Sequence, residues 1–390
     1  MKKYALALEG GGAKGAYQIG AYKALKGEGY EFNAIIGTSI GALNAALIVQ
    51  GDEEKLEELW RNVSFSDLLD VDEDKIQDLV VNKNVNVGNI SEITKVTTDA
   101  LKELGFDTGK ERKLLEKYID EEKIRNSKIR FGLVTFNISD FKAEKLFIED
   151  IPKGKLIDYL MASSNLPVFK RATIEDKKFI DGGAVDNCSV EMLYEAGYKK
   201  IVAIRLFLKN RIRKYSSLKR NKDLNLKMIV PSENLPYILN FETNSLNNII
   251  DYGYVDTLKQ LRNIDGTLYA VSKVKEIKAQ DIKNKIKPVD AFEIVKDANV
   301  KIKVGDNILE VLIQKAIPKI SKSLFGKKTG SLKHQILNIL EYVALDEDIS
   351  KNHIYEYEEI LFKVKDIINN KNIEECKGVQ RSAYRLISLI

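Results

Sequence analysis

A glycine-rich segment near the start of the chain has the composition of an anion-binding loop. The segment Gly10-Gly11-Gly12-Ala13-Lys14-Gly15 follows the short apolar run Tyr4–Leu8, which is typical of a buried parallel strand. Glycine lets the main chain approach a ligand closely and adopt positive φ. The residue types therefore predict backbone N–H groups that can stabilise negative charge developing on an oxygen atom.

The segment Gly37-Thr38-Ser39-Ile40-Gly41 matches Gly-x-Ser-x-Gly, the pattern of a nucleophile elbow, in which a serine lies on a tight turn between a strand and a helix. The apolar run 32–36 precedes it and the small, apolar run 40–49 follows it, as this arrangement requires. Ser39 would then lie at a helix N-terminus, where free N–H groups and the helix dipole favour negative charge. Together the two motifs predict acyl transfer, with Ser39 as the nucleophile.

Nucleotide-binding sites use similar glycine patterns and are the main alternative for the first motif. A P-loop needs Lys-Ser or Lys-Thr after its last glycine, whereas Ala16 and Tyr17 follow Gly15. A dinucleotide site needs an acidic residue at the end of the second strand, where this chain has Thr38 and Ser39. Both nucleotide interpretations are disfavoured, while a plain tight turn stays open for either motif taken singly.

The general base is predicted to be a carboxylate. The two histidines, His334 and His353, lie in helical patterns near the end of the chain that favour surface positions. A Ser-His-Asp triad that recruits either of them is the alternative. Asp181 ends the short strand pattern 178–180 and precedes two glycines. Alone, this Asp-Gly would predict a hairpin turn; after the two earlier motifs, Asp181 is the candidate base.

In this order the three motifs resemble those of the patatin-like phospholipase family. The small-residue segment 162–169 and Asn187 add secondary resemblances, while Cys188 stands where the family commonly has proline. The resemblance implies an α/β fold of three layers, with a central mostly parallel sheet flanked by helices. It also implies hydrolysis of lipid acyl esters, of the phospholipase A or lysophospholipase type, through a Ser-Asp dyad.

The resemblance assigns a role to each motif residue. Ser39 is the nucleophile that forms a serine ester, and Asp181 is the general base; no metal or cofactor is expected. The residues assigned to the oxyanion hole are Gly10, Gly11, Gly12, Lys14 and Gly15. Gly37 and Gly41 complete the nucleophile elbow, and Gly182 and Gly183 complete the Asp-Gly-Gly motif. The position of Lys14 at a helix start also fits a solvated side chain, and the resemblance allows it to orient the loop or meet a phosphate head group.

The length of 390 residues predicts two domains. We expect a patatin-like acyl hydrolase domain over residues 1–265 and a helical C-terminal domain of unknown role over residues 266–390. Helical apolar spacing in the second domain is found in four stretches, 308–324, 332–345, 353–368 and 373–390. The spacing predicts few strands in this part of the chain.

Composition and charge limit the classes of binding partner that the sequence predicts. The net charge of +5, from 62 basic and 57 acidic residues, is too balanced to predict nucleic-acid binding. The basic cluster 209–227 fits either a solvated loop or contact with an anionic membrane surface. No apolar stretch is long enough for a membrane span or a signal peptide, so a cytoplasmic location is expected, and peripheral contact with a membrane stays open as the alternative to a solvated basic loop. Cys188 and Cys376 form neither a metal pattern nor a disulfide framework.

A second class of function stays open at this point. The chain could be a binding or effector protein on a hydrolase scaffold, inactive until a partner protein activates it. The intact motifs favour the enzyme, because the residues needed for the chemistry are present. The head group, the acyl position cleaved and the oligomeric state are not readable from generic apolar residues.

Overall fold

The computed structural model describes residues 2–64, 67, 109–165, 172–208, 221–236, 241–326 and 330–390. Contacts divide the chain into two compact units, Met1–Leu258 and Lys259–Ile390. The domain boundary at residue 265 stays a prediction. Two features of the sequence analysis lie partly outside the described residues: the basic cluster 209–227 and the segment 162–169.

The first unit is built on a mixed sheet. Its strands are β1 (Lys2–Leu8), β2 (Tyr30–Thr38), β3 (Arg130–Asn137), β4 (Lys142–Phe147), β5 (Ala172–Ile174), β6 (Lys177–Asp181), β7 (Lys200–Ile204) and β8 (Asn225–Ile229). Hydrogen bonds link them in the order β5-β6-β3-β2-β1-β7-β8, with β4 on β3. The pairs within β3-β2-β1-β7-β8 are parallel, and the others are antiparallel. The expected mostly parallel sheet is confirmed.

Helices flank this sheet. They are α1 (Ala16–Gly27), α2 (Ile40–Val49), α3 (Glu53–Asn62), α4 (Gly109–Tyr118), α5 (Glu121–Arg125), α6 (Leu156–Ser164), α7 (Val190–Glu195) and α8 (Thr243–Arg262). The last five residues of β1 and nearly all of α2 are apolar because these segments are buried within the unit. α1 and α8 approach closely at glycines: a Cβ on Gly20 would lie 1.8 Å from the carbonyl oxygen of Ile250.

The second unit is mainly helical, as the apolar spacing predicts. Its helices are α9 (Ala279–Lys285), α10 (Pro288–Asp297), α11 (Ile308–Val311), α12 (Ile317–Phe325), α13 (Leu332–Asp346), α14 (Tyr357–Asn369) and α15 (Gly378–Leu389). A π-helical turn, Leu312–Ala316, joins α11 to α12. The unit also contains a small parallel pair, β9 (Ala270–Ser272) with β10 (Ile354–Glu356). Strands this short carry too little alternation to be separated from a helix start.

Two further properties bear on function. Within the described part of the chain, no helix is long and apolar enough to cross a membrane. Nor do the described residues contain a cluster of three or more histidine, cysteine, aspartate or glutamate side chains able to hold a metal ion. Both cysteines are buried and reduced.

Candidate active site

Ser39 lies on a strained turn between β2 and α2. Its φ of 56° and ψ of −130° are unusual for a residue with a side chain, and 5% of its surface is exposed. The turn is tight enough to require glycine on both sides. A Cβ on Gly37 would lie 2.0 Å from the carbonyl oxygen of Gly41, and a Cβ on Gly41 would lie 2.5 Å from that of Leu8. The local geometry is therefore that of a nucleophile elbow.

Ser163, at the end of α6, holds the main chain of Ser39. The Ser39 N–H donates to Ser163 Oγ at 3.0 Å, and Ser163 Oγ donates to the carbonyl oxygen of Val134 at 2.7 Å. Sequence reasoning did not single out Ser163, although the small-residue segment 162–169 contains it. Because the Ser39 N–H is used in this way, that group is not available as an oxyanion donor.

Asp181 is the last residue of β6 and is 1% exposed. Its Oδ1 accepts from the Gly183 N–H at 2.7 Å, and its own N–H donates to the carbonyl oxygen of Asn165 at 2.8 Å. No described residue donates to Oδ2 with normal hydrogen-bond geometry. Burial raises the pKa of Asp181 to about 6, while the Ser39 hydroxyl and the Gly183 N–H act in the opposite direction.

The register of β3 brings Ser39 and Asp181 together. β2 pairs with the first half of β3 and ends with Thr38 opposite Val134. β6 pairs with the second half, and Asp181 lies opposite Thr135. β4 pairs with both halves, so it occupies the other edge of β3. β2 and β6 therefore share one edge and meet end to end, with Ser39 directly after the end of β2.

The glycine loop also lies next to Ser39. Gly10 exchanges two hydrogen bonds with Asn187: its N–H donates to the Asn187 carbonyl oxygen at 3.0 Å, and Asn187 Nδ2 donates to its carbonyl oxygen at 3.0 Å. A Cβ on Gly10 would lie 2.9 Å from Ser39 Cβ. Among the described residues, none accepts a hydrogen bond from the N–H of Gly11 or Gly12. These two groups are donors close to Ser39 that a ligand oxygen can use.

Lys14 and Gly15 belong to the glycine loop and contact residues outside it. The Lys14 side chain is buried, with its ammonium group 4.5 Å from the ring centroid of Phe207, a cation–π distance. The Gly15 carbonyl oxygen accepts from Asn44 Nδ2 at 3.1 Å. The solvated position considered for Lys14 is wrong, because its side chain is buried and lies against Phe207.

A buried ion pair fixes the start of the loop. Glu9 accepts from Arg205 Nη2 at 2.7 Å and, through its other oxygen, from the Leu206 N–H at 2.6 Å. Both charged side chains are almost fully enclosed. The pair therefore links the residue after β1 to the residue after β7. The sequence gives no local signal for it, because the partners are far apart along the chain.

Uncharged polar side chains connect the loop to α2. Trp60 Nε1 donates to Asn44 Oδ1 at 2.7 Å, and Asn44 Nδ2 donates to Gln18 Oε1 at 2.9 Å. Gln18 Nε2 then donates to the carbonyl oxygen of Glu9 at 2.7 Å. A satisfied buried network of this kind rigidifies the segments that it joins. It holds the glycine loop in register with the helix that Ser39 begins.

Both histidines lie in the second unit and are exposed. His334 Nδ1 is 2.9 Å from Ser331 Oγ. The His353 ring stacks edge-on against Tyr355, and its Nε2 is 3.7 Å from Glu359. His334 lies on α13 and His353 directly precedes β10, and the contacts of both are typical of surface histidines.

The Patatin-like phospholipase family model matches residues 6–194, a range that contains the glycine loop, Ser39 and Asp181. No curated protein sequence gives a significant match. VipD from Legionella pneumophila is a similar solved structure, 15% identical, with 100% of this chain and 90% of that chain covered and a TM-score of 0.41. The type III effector ExoU is 14% identical, with 98% and 77% covered and a TM-score of 0.34. The ExoU-SpcU complex from Pseudomonas aeruginosa is 13% identical, with 99% and 74% covered and a TM-score of 0.28.

Proposed function

Residues 6–194 belong to the patatin-like phospholipase family, and we propose that the chain is a lipid acyl hydrolase that works through Ser39 and Asp181. The family is one of lipid hydrolases, so a lipid substrate follows from membership. The finer proposal is cleavage of a carboxylic ester of the phospholipase A or lysophospholipase type. The observation that carries it is the end-to-end meeting of β2 and β6, which supports a direct Ser39–Asp181 pair.

In the first step, Ser39 Oγ attacks the ester carbonyl carbon and its proton passes to Asp181 Oδ2. Oδ1 is held by the Gly183 N–H, so Oδ2 is the oxygen left to take the proton. The carbonyl oxygen becomes an oxyanion, which the free N–H groups of Gly11 and Gly12 stabilise. The carbon–oxygen bond then breaks, and the leaving alcohol takes the proton from Asp181.

In the second step, water attacks the serine ester. Asp181 accepts a proton from the water, the tetrahedral intermediate uses the same N–H donors, and the fatty acid leaves as Ser39 Oγ regains its proton. A pKa of about 6 suits this role. The carboxyl is ionised at neutral pH, yet it is a stronger base than a solvated aspartate.

Covalent trapping of the nucleophile tests this proposal. The full chain is treated with a fluorophosphonate ester, which reacts with an activated serine, and the modified peptide is identified by mass spectrometry. We expect one adduct on the peptide that contains Ser39, none in Ser39→Ala, and a much slower reaction in Asp181→Asn. A His334→Ala/His353→Ala variant should react at the wild-type rate.

Three outcomes would contradict the proposal. An adduct on a different serine would show that Ser39 is not the nucleophile. Slow labelling of the double histidine variant would favour the triad. A folded wild-type chain that takes no label would favour the alternative of an effector that needs an activating partner protein.

A further inference from the structure

An apolar pocket runs along α2, the helix that begins directly after Ser39. Ile40, which follows Ser39 directly, lines it together with Leu43 and Leu47 from the same face of the helix. Trp60 of α3 and Leu115 of α4 close its other sides. The pocket has a cavity volume of about 40 Å³. From Ile40 to Leu47 the helix rises ~10 Å, so the pocket follows the axis for that length.

One carboxyl group lines this pocket. Glu111, on α4, is buried, and its Oε1 accepts a hydrogen bond from Ser164 Oγ at 2.7 Å. Ser164 is the neighbour of Ser163, which holds the main chain of Ser39. Glu111 is therefore built into both the pocket wall and the support of the elbow, and the mechanism proposed above does not use it.

Burial raises the pKa of Glu111 to about 7; the Ser164 hydroxyl opposes this shift, and the negative charge of Asp181 adds to it. The next residue along α4, Arg112, is ion-paired. Arg112 contacts Asp158 of α6 at 2.6 Å and Glu116 of its own helix at 3.8 Å. The lining side chains from α2 and α3 are uncharged.

We propose that this pocket receives the acyl chain of the substrate, and that Glu111 makes its affinity for the chain depend on pH. The inference rests on the proposed function. An uncharged Glu111 leaves the wall compatible with hydrocarbon, whereas an ionised Glu111 needs water that an acyl chain would displace. Chain binding and ionisation of Glu111 therefore oppose each other. Because Glu111 is neutral below pH 7 and ionised above it, affinity for long chains falls as pH rises.

The test compares kcat/KM for p-nitrophenyl acetate and p-nitrophenyl octanoate between pH 5.5 and 8.5. Acetate does not extend into the pocket, and titration of Asp181 affects both esters equally, so it cancels in the ratio. In wild type the octanoate-to-acetate ratio should be large at pH 6, since each buried methylene contributes roughly a three- to fourfold preference. It should fall roughly tenfold by pH 8.5.

Three variants distinguish an effect of the pocket from a general pH effect. Glu111→Gln should keep the ratio constant with pH, whereas Glu116→Gln, an exposed position on the same helix, should follow wild type. Leu114→Trp, at a half-buried lining position, should lower octanoate turnover at least tenfold and spare acetate.

A ratio that does not change with pH in wild type would overturn the inference, as would an unchanged slope in Glu111→Gln. Full octanoate activity in Leu114→Trp would show that the chain binds elsewhere. If the folded wild-type chain hydrolyses neither ester, the proposed function fails, and this inference fails with it.

Discussion

At the scale of single residues, each reacting group is held by contacts that leave its functional atom available. Ser163 fixes the main chain of Ser39 and leaves Ser39 Oγ to react. Gly183 fixes one oxygen of Asp181 and leaves the other to take a proton. These positioning contacts explain why the strained backbone of Ser39 persists, since the surrounding structure determines it from several sides.

Gly10 is predicted to be intolerant of any side chain. A Cβ there would lie 2.6 Å from Asn187 Oδ1 as well as 2.9 Å from Ser39 Cβ, so the loop would have to move away from the nucleophile. Gly10→Ala should lower kcat by about a hundredfold, the effect of losing an oxyanion donor. The matched control is Gly27→Ala at the end of α1, where a Cβ meets nothing within 4 Å and activity should not change. Equal activity in both variants would remove the loop from the mechanism.

The pH dependence of activity should report the ionisation of Asp181. Its carboxyl must be ionised to accept a proton, and its pKa is raised to about 6. For an acetyl ester, kcat/KM should therefore fall about tenfold per pH unit below pH 6 and level off above it. The measurement is a pH–rate profile with enzyme stability checked at each pH. If kcat/KM instead falls only below about pH 4, the pKa of a solvated aspartate, this role would be contradicted.

At the scale of strands and helices, strong apolar patterns in the sequence predict where elements lie. They do not predict which strands pair with each other. β1, β2 and β6 lie where the runs Tyr4–Leu8, 32–36 and 178–180 predict strands, and the structure confirms them. β5, β8, β9 and β10 were missed because they are short or carry charged residues that hide the alternation.

The motifs identified the candidate residues but not the geometry that joins them. Nothing local in the sequence specifies that Asp181 pairs with Thr135 while Thr38 pairs with Val134. The sequence also did not predict the buried contacts that hold the glycine loop in place. Glu9 is read simply as the end of an apolar strand, and its partner Arg205 is recognisable only after β1 and β7 have paired.

The Glu9–Arg205 pair should be important for the stability of the loop. Arg205→Met would leave Glu9 buried without its cation, which costs about 3–5 kcal/mol. We expect a lower denaturant midpoint and a lower kcat, because Glu9 begins the glycine loop. The matched control is Lys26→Ala, which removes an exposed ion pair with Glu53 at 3.4 Å and should leave both unchanged. An Arg205→Met variant as stable as Lys26→Ala would contradict this account.

At the scale of the whole molecule, each unit contains a buried acidic group that stays protonated well above its usual range. Burial raises the pKa of Glu111 in the first unit to about 7 and that of Glu341 in the second unit to about 7. Glu341 also accepts hydrogen bonds from the backbone N–H groups of Thr267 and Leu268, which oppose the shift. The fold thus binds protons that the unfolded chain has already released near neutral pH.

This difference predicts that stability falls as pH rises. Because the folded pKa of Glu111 is raised above its usual value of 4.5, its contribution is fully present below about pH 4.5 and is lost as pH rises through 7. The loss is on the order of 3 kcal/mol for such a shift. Glu111→Gln should reduce the pH dependence of the first unit's unfolding between pH 4.5 and 8, measured by denaturant titration, and leave the part that comes from the raised pKa of Asp181. A wild-type chain that gains stability over this range would contradict the prediction.

The measurement that tests the central claim most directly is ester hydrolysis by the purified full chain on p-nitrophenyl acetate and on mixed phospholipid vesicles. Wild type is compared with Ser39→Ala, Asp181→Asn and His334→Ala/His353→Ala. We predict that the first two variants lose at least a thousandfold in kcat on both substrates, while the double histidine variant keeps the wild-type rate. Activity that survives in Ser39→Ala, or that disappears with the histidines, would contradict the Ser39–Asp181 mechanism.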